Sequence, residues 1–472
     1  MARQVLYSPP SQGVASTMSR VPTIIPMPSE LSCDRIVHKV LASFDRYDCD
    51  VVKLAMPTPF HIFCLRNPEH IKYITTCKEA ATDKPPHTVP KADWMMGNGV
   101  FNDLGGETWK AKRSRINPAF TPAHSAYFCQ PLPEFLESLK QRWQSFGPDK
   151  PIGLHDEILR MVLDFAVFTM FSKRLAADEL QWIMQAVEFS EEMFATLSPL
   201  WLPTSANLRF RRIGRQFNRL MQNILDDWRA RPSGRPDALD FLTRDSNHGD
   251  LHANDEELRA AMFSILLGTP AVVLPILWAL YFFTVRPDTL QALKAELVEV
   301  VGARIPQPDD LPKLTYLNMF FKETLRIYPP FWGSLRYSRS AVAFDGFSFP
   351  ARSVFAMIRV AAHRHPRYWQ HPEQFIPERF SSLNPDPGSV RAYLPFGWGP
   401  RLCLGRYLAA MLCPITIAFI AQNFEVRISA EEPIQLKYWF AMYPAREMLG
   451  TLRPVASRGA SPTDTNLTTA AE

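Results

Sequence analysis

Cysteine is scarce in this sequence, and the spacing of the few that occur excludes several kinds of protein. The 472 residues include seven cysteines, and none of them forms a C-x-x-C pair. Their positions are Cys33, Cys49, Cys64, Cys77, Cys129, Cys403 and Cys413. An odd and scattered set argues against a disulfide framework and favours a reducing compartment. No group of cysteine and histidine has the spacing of a zinc finger or ribbon, so a structural zinc site is not expected.

The sequence also lacks an N-terminal apolar run and a strong excess of charge. Residues 1–29 contain many serines and prolines but no apolar stretch typical of a signal peptide or membrane anchor. The net charge of +5 is only mildly basic. It does not favour nucleic acid as a partner, although a basic face could dock an acidic redox protein. We therefore expect a cytoplasmic, monomeric protein without a transmembrane anchor.

Long uncharged runs are few, and the longest could be mistaken for a membrane span. The segment 260–285 contains no charged residue and is long enough to span a bilayer. Pro270, Pro275 and the lack of flanking basic clusters favour a helix buried inside a large domain instead. Apolar periodicity predicts further helices between residues 132 and 230, and short strands between residues 336 and 359.

The most specific pattern is F-G-W-G-P-R-L-C-L-G, which begins at Phe396 and ends just before an apolar run typical of a helix. A thiol at a helix N-terminus feels the positive end of the helix dipole, so the thiolate of Cys403 is favoured. Gly399 and Gly405 let backbone come close to the sulfur, and Arg401 adds a cation. A lone thiolate held in this way suits a heme iron. The alternative is that Cys403 is a small buried apolar residue, as many free cysteines are.

This loop fits the pattern F-x-x-G-x-R-x-C-x-G and resembles the heme-binding loop of cytochrome P-450 enzymes. Other patterns extend the resemblance. The G-x-x-W-x-x-x-R sequence that contains Trp109 and Arg113 is similar to the family helix that clamps a heme propionate. The E-x-x-R pair of Glu323 and Arg326, with Arg379 further along the chain, is similar to the buried structural network of the family.

The resemblance implies a mainly α fold with small β-sheets (α+β), in which heme b lies between a long central helix and the helix after the cysteine loop. It implies a heme-thiolate catalytic domain over residues 30–455, an N-terminal extension over 1–29 and a disordered tail over 456–472. Cys403 would be the axial ligand of the heme iron. The implied heme-binding residues are Trp109, Arg113, Arg336, Phe396, Arg401, Cys403 and Gly405. Weaker candidates for the pocket wall are Leu267, Gly268, Ala271, Phe331, Trp332 and Met442.

The central helix departs from the family pattern. Where members usually have A-G-x-(D/E)-T-(T/S), this chain has L-G-T-P-A-V. Gly268 keeps its place, but Pro270 replaces the acid and Ala271 replaces the threonine, and neither side chain can donate a proton. A shifted register would bring Thr269 near the place of the usual alcohol, still without an acid. Pro270 is also expected to free the carbonyl of Leu266.

Two functions are compatible with this departure. The first is a monooxygenase that oxidises a small apolar molecule, in secondary metabolism, with protons relayed by substrate hydroxyls or ordered water. Its electrons would come from a ferredoxin and a ferredoxin reductase, because the chain has no room for a fused flavin domain. The second is an isomerase or dehydratase that does not use dioxygen, or an enzyme that uses peroxide. We favour oxidation, which is commoner in the family. A heme-binding protein without enzymatic activity is a further alternative.

Overall fold

Helices make up most of the computed structural model, and small sheets flank them, which confirms the predicted α+β class. The structure describes residues 21–27, 30–78, 83–85, 94, 95, 97, 99–101, 103–194, 199–230, 236–243, 254–383, 385–429 and 434–455. The predicted tail over 456–472 and most of the predicted extension over 1–29 lie outside these residues.

The helices are numbered in chain order. Helices α1 to α8 are Cys33–Arg46, Pro68–Thr76, Gly106–Ile116, Pro122–Cys129, Leu132–Ser145, Leu154–Phe171, Ala177–Phe194 and Ser205–Ala230. Helices α9 to α16 are Ala238–Thr243, Asp255–Leu266, Pro270–Val285, Pro287–Val300, Thr315–Ile327, Arg359–Ala362, Pro387–Arg391 and Arg406–Asn423. Short 3-10 turns are Asn117–Phe120, Pro308–Asp310 and Pro377–Phe380.

The strands form one five-stranded sheet and three smaller ones among the described residues. Strands β1 to β6 are Thr23–Ile24, Val51–Leu54, His61–Leu65, Ile152–Gly153, Gly333–Ser338 and Val342–Phe344. Strands β7 to β12 are Phe347–Phe349, Ser353–Ile358, Phe424–Ser429, Leu436–Tyr438, Met442–Pro444 and Leu449–Pro454. The large sheet has the order β1-β2-β3-β8-β5, and β8 pairs antiparallel with β5 so that Arg336 lies opposite Phe355.

The folded part begins before the predicted boundary at residue 30. Thr23 pairs with Lys53 and Ile24 pairs with Leu54, so β1 extends the large sheet in parallel with β2. A strand as short as β1 is too short to show apolar alternation in the sequence. Its pairing depends on β2, which lies further along the chain.

The predicted long central helix is interrupted just before Pro270. Helix α10 ends at Leu266 and α11 begins at Pro270, whose ring nitrogen has no hydrogen to donate. Between them Gly268 N–H donates to the Ile265 carbonyl over 3.0 Å and Thr269 N–H donates to the Leu266 carbonyl over 3.0 Å. These tighter bonds are typical of a 3-10 turn.

The carbonyl of Leu266 is not freed by Pro270, so that expectation was wrong. It accepts the backbone N–H of Thr269 and also the Thr269 hydroxyl, at 2.7 Å. The threonine before the proline therefore satisfies the group that the proline leaves without its usual partner.

Helices α10 and α11 together are long and apolar enough to cross a membrane by length and composition, and the mean hydropathy of their most apolar 18 residues is 2.1. However, 72% of their most apolar window is buried inside the protein. Helix α11 packs against α6, α13, α16 and β9. This burial supports the predicted core helix, because a helix that is apolar all round suits the interior of a large domain.

A buried ion network connects α13 with residues 363–379, which precede the cysteine loop. Arg326 donates to both carboxylate oxygens of Glu323, at 2.7 and 2.8 Å, and Nε of Arg379 donates to Glu323 over 3.2 Å. Arg326 also donates to the carbonyls of His363 and Gln374. The structure thus brings the three predicted partners together, with the Glu323 carboxylate between two guanidinium groups.

We predict that Glu323→Gln destabilises the protein by about 3–5 kcal/mol, because it leaves two buried guanidinium groups without their counter-charge. Equilibrium urea unfolding followed by circular dichroism measures the change. Glu373→Gln is the matched control, since Glu373 is 73% exposed in its pair with Arg364 and its loss should cost less than about 1 kcal/mol. Equal stability of the two variants would contradict the assignment.

Candidate heme site

The loop before α16 places Cys403 through its own backbone. Cys403 N–H donates to the Phe396 carbonyl over 3.0 Å, which closes the loop on itself. Gly397 and Gly399 have φ angles of 81° and 74°, which favour glycine. A Cβ on Gly399 would lie 2.1 Å from the carbonyl oxygen of Thr75 in α2. Glycine at position 399 is therefore required by the close approach of the loop to α2.

The side chain of Cys403 is exposed, yet its thiol lies deep among protein atoms, where burial raises its pKa. These two facts agree if the sulfur faces an open internal space. Gly268, at the interruption of the central helix, is also exposed, and Ala271 is half-buried. Residues 406–411 at the start of α16 are half-buried although most of them are apolar. Both helices thus have a face that the protein alone does not cover.

Helices α11 and α16 pack against each other beside this space. The Sγ of Cys413 lies 3.7 Å from the carbonyl oxygen of Val272. From there the partly exposed face of α16 runs back towards Cys403, and that of α11 runs back towards Gly268. We call the space between these two faces the slot. It lies between the central helix and the helix after the cysteine loop, where the sequence predicts a heme.

Gly405 supports the presence of a group in this slot. Its φ of −76° is available to any residue, and a Cβ at this position would meet nothing within 4 Å. Neither backbone conformation nor packing of the protein therefore explains a glycine here. A flat cofactor beside Cys403 would explain it, because a side chain at position 405 would occupy its space.

The electrostatics of Cys403 differ from the expectation of a favoured thiolate. Burial raises the pKa of the thiol and outweighs the Gly405 N–H and the charges of Arg113, Arg359 and Arg406, which lower it. The protein alone therefore disfavours the thiolate, contrary to the argument from the helix dipole. A bound metal ion would reverse this balance, since it replaces the proton of a thiol that coordinates it and the proton is released to solvent.

The predicted propionate-binding cations converge beside the loop. Arg113 donates to the Leu402 carbonyl over 2.5 Å, and the Arg401 guanidinium lies 4.5 Å from the centre of the buried Trp109 ring. Burial and the charges of Arg401 and Arg359 lower the pKa of Arg336 to about 9. Burial likewise lowers the pKa of Arg401 to about 10. Buried cations gathered in this way fit the two carboxylates of a heme.

Arg359 belongs to the same group of cations, and the sequence analysis missed it. It is 9% exposed, and burial lowers its pKa to about 10, against an opposing influence of the Cys403 thiolate. No motif marks this residue. The only signal in the sequence is an arginine that directly follows the mostly apolar residues of β8.

Some predicted pocket residues do not reach the open space. Leu267 is 4% exposed and Met442 is fully buried, and Met442 packs instead in a separate apolar cluster with Tyr438. Thr269 is 3% exposed, and its hydroxyl donates to Leu266. Its buried position gives no support to a shifted register in which Thr269 replaces the usual alcohol.

Aromatic side chains lie on the other side of the predicted pocket. Phe331 is half-buried and meets the Phe440 ring edge-on at 5.4 Å, and Phe440 in turn lies 5.9 Å from Phe101. The half-buried Trp332 donates its Nε1–H to the Trp439 carbonyl over 2.8 Å. Phe331 is therefore the better of the two neighbouring candidates for an apolar wall, since the Trp332 indole is fixed on the strand hairpin.

Comparison with known proteins agrees with this geometry. The family model for cytochrome P450 matches residues 22–449. The chain belongs to the cytochrome P450 family. It is therefore an oxidoreductase that uses heme, which confirms the predicted family, enzyme class and cofactor.

Similar proteins include bacterial enzymes. Cyclooctatin synthase of Streptomyces melanosporofaciens is 26% identical over 80% of this P450 and 83% of the relative. Pentalenene oxygenase of Streptomyces avermitilis is 24% identical over 84% of this P450 and 89% of the relative. The crystal structure of the cytochrome P450DA heme domain has a TM-score of 0.82 at 20% identity and covers 92% of this chain and 98% of that one. The structural likeness supports the fold.

We predict that Cys403→Ser abolishes the red-shifted carbonyl spectrum of the reduced protein, because that spectrum requires a thiolate ligand to the heme iron. Cys413→Ser is the matched control, as Cys413 is buried in the same helix region and contacts Val272. The control should keep the spectrum. A red-shifted band that persists in Cys403→Ser would disprove the ligand assignment.

Proposed function

We propose that this P450 is a monooxygenase that places one oxygen atom on a small, apolar, terpene-like molecule in secondary metabolism. The observation that carries the proposal is that Cys403 is exposed next to the half-buried, mostly apolar residues 406–411 at the start of α16. Such a lining suits an apolar ligand with few polar groups. The names of two relatives, cyclooctatin synthase and pentalenene oxygenase, support a terpenoid substrate.

In this proposal the heme supplies the electron storage and the oxygen chemistry that no side chain of the protein offers. The Sγ of Cys403 binds the iron, and the Phe396 carbonyl holds the Cys403 backbone N–H in place. Trp109, Arg113, Arg336 and Arg401 bind the propionates. Gly405 leaves room beside the sulfur, and Gly268 and Ala271 leave room on the opposite wall.

Proton supply is the unusual step. Pro270 and Ala271 cannot donate a proton, and the Thr269 hydroxyl is already bonded to Leu266. The small residues Gly268 and Ala271 are at least partly uncovered, so ordered water or a hydroxyl of the substrate can occupy this wall. We propose that these groups relay the protons in place of an acid and a threonine.

Because this relay lacks a fixed side-chain donor, we expect a measurable share of the electrons to appear as hydrogen peroxide. Ala271→Thr should lower that share severalfold, since positioned acid groups typically contribute about 10²–10⁴ in rate. Ala271→Val is the control, as it has the same shape without a hydroxyl. The measurement is the ratio of product and peroxide to NADH consumed. Full coupling in the wild type, with no difference between the two variants, would contradict the expectation.

The electron donors are proposed to be a separate ferredoxin and its reductase. The exposed Trp398 of the cysteine loop lies under the Lys72 ammonium at 5.3 Å, and Arg406 contacts the Cys403 carbonyl nearby. These cations support the docking of an acidic partner. Turnover reconstituted with a ferredoxin pair should fall steeply with salt. The cytoplasmic location and the monomeric state stay predictions.

Labelled dioxygen tests the proposed reaction. Purified protein is incubated with a panel of terpene hydrocarbons and alcohols under ¹⁸O₂, with and without the reducing system, and the products are analysed by mass spectrometry. The proposal predicts a product that gains one labelled oxygen only when reductant is present.

The second candidate is a reaction that consumes no dioxygen. The observation that favours it is the replacement of the proton relay by Pro270 and Ala271, which such a reaction tolerates. A product of unchanged mass, or one that has lost water, formed without reductant, would establish an isomerase or dehydratase and would overturn the monooxygenase. Product formation with peroxide alone would establish a peroxide-using enzyme.

A further inference from the structure

Arg359 lies between Phe331, a candidate residue of the pocket wall, and the loop that presents Cys403. It is the first residue of α14, directly after β8, and its side chain is 9% exposed. Nη1 donates to the Phe331 carbonyl over 2.8 Å. Nη2 lies 3.8 Å from the position of a Cβ on Gly397. The guanidinium group therefore bonds to the backbone of Phe331 and lies near the loop that presents Cys403.

Three other deeply buried arginines of this P450 lie beside carboxylates, whereas Arg336 belongs with Arg359 to the buried cations near the cysteine loop. Arg326 and Arg379 both pair with Glu323, and Arg66 donates to Asp50 over 3.3 Å. Arg359 differs, because no carboxylate within the described part of the chain lies at ion-pair distance from it. A buried cation without a counter-charge lowers the stability of the folded protein. The counter-charge of Arg359 must therefore come from an anion other than an Asp or Glu carboxylate.

The thiolate of Cys403 is a source of negative charge that acts on Arg359. In the thiolate form it attracts the Arg359 guanidinium, and Arg359 in turn lowers the pKa of the thiol. Gly397, where an added Cβ would lie 3.8 Å from Nη2, directly follows Phe396, whose carbonyl accepts the Cys403 N–H. The Arg359 guanidinium thus lies near the segment that fixes the ligand backbone, and Arg113 donates to the carbonyl of Leu402 in the same loop.

We propose that Arg359 is a positioning residue that adjusts the reduction potential of the heme iron. Its buried guanidinium offsets the negative charge of the Cys403 thiolate and so makes reduction of the ferric iron easier. This inference rests on the proposed role of Cys403 as iron ligand. One-electron reduction adds one negative charge at the iron, and a nearby fixed cation stabilises the reduced form more than the oxidised form.

The test is a spectroelectrochemical titration of the heme-loaded protein without substrate. Arg359→Gln keeps a hydrogen-bonding side chain but removes the charge. We expect its equilibrium constant for reduction to fall about tenfold, which corresponds to about 59 mV for a one-electron couple. Arg359→Lys keeps the charge and should stay near the wild-type potential. Arg364→Gln is the control, since Arg364 pairs with the exposed Glu373, and its potential should be unchanged.

Stability gives a second readout. If Arg359 is retained for the heme, its neutral variant should leave the melting temperature of the heme-free protein unchanged or raise it, because an uncompensated buried charge has been removed. A structural role would lower that temperature.

Each other outcome overturns the inference. A wild-type potential in Arg359→Gln removes the electrostatic role, and an equal drop in Arg359→Lys assigns the effect to hydrogen-bond geometry instead of charge. Loss of folding or of heme content in Arg359→Gln makes Arg359 a structural or propionate-binding residue. Failure of the proposed function is separate from these results, because it would show as a wild-type protein without the red-shifted carbonyl spectrum.

Discussion

The architecture around the slot depends on one constraint: the negative charge on the sulfur of Cys403 must be compensated. Burial alone raises the pKa of this thiol. The protein opposes that effect with a backbone N–H from Gly405 and with cations from α3, α14 and the start of α16. These elements are far apart in sequence, so the fold has to bring them to one loop. An iron ion completes the compensation when it replaces the thiol proton.

The rigidity of the loop depends on a second buried charge network. Glu323 binds Arg326 and Arg379, and Arg326 binds the carbonyl of His363. Nε2 of His363 accepts the backbone N–H of Leu394 over 2.9 Å, just before the cysteine loop. A continuous series of buried hydrogen bonds therefore connects α13 with the loop that holds Cys403. This series explains why a carboxylate remote from the sulfur matters for the site.

The sequence was sufficient where a short motif encodes the geometry, as for Cys403 and for the pair of Glu323 and Arg326. It was insufficient where distant segments decide. Arg359 belongs to no motif and becomes informative only when Gly397 and Phe331 are seen beside it. The prediction of a free Leu266 carbonyl was wrong because Thr269 satisfies that carbonyl through its side chain, which an argument from proline alone does not consider.

The central claim is that the Cys403 thiolate binds the iron of a heme in the slot between α11 and α16. X-ray absorption at the iron edge of the purified, heme-loaded protein tests it most directly, because sulfur and nitrogen scatter differently at the metal. The account predicts one sulfur neighbour together with the porphyrin nitrogens in the wild type, and no sulfur neighbour in Cys403→Ser. An iron site with only nitrogen and oxygen neighbours in the wild type would contradict it.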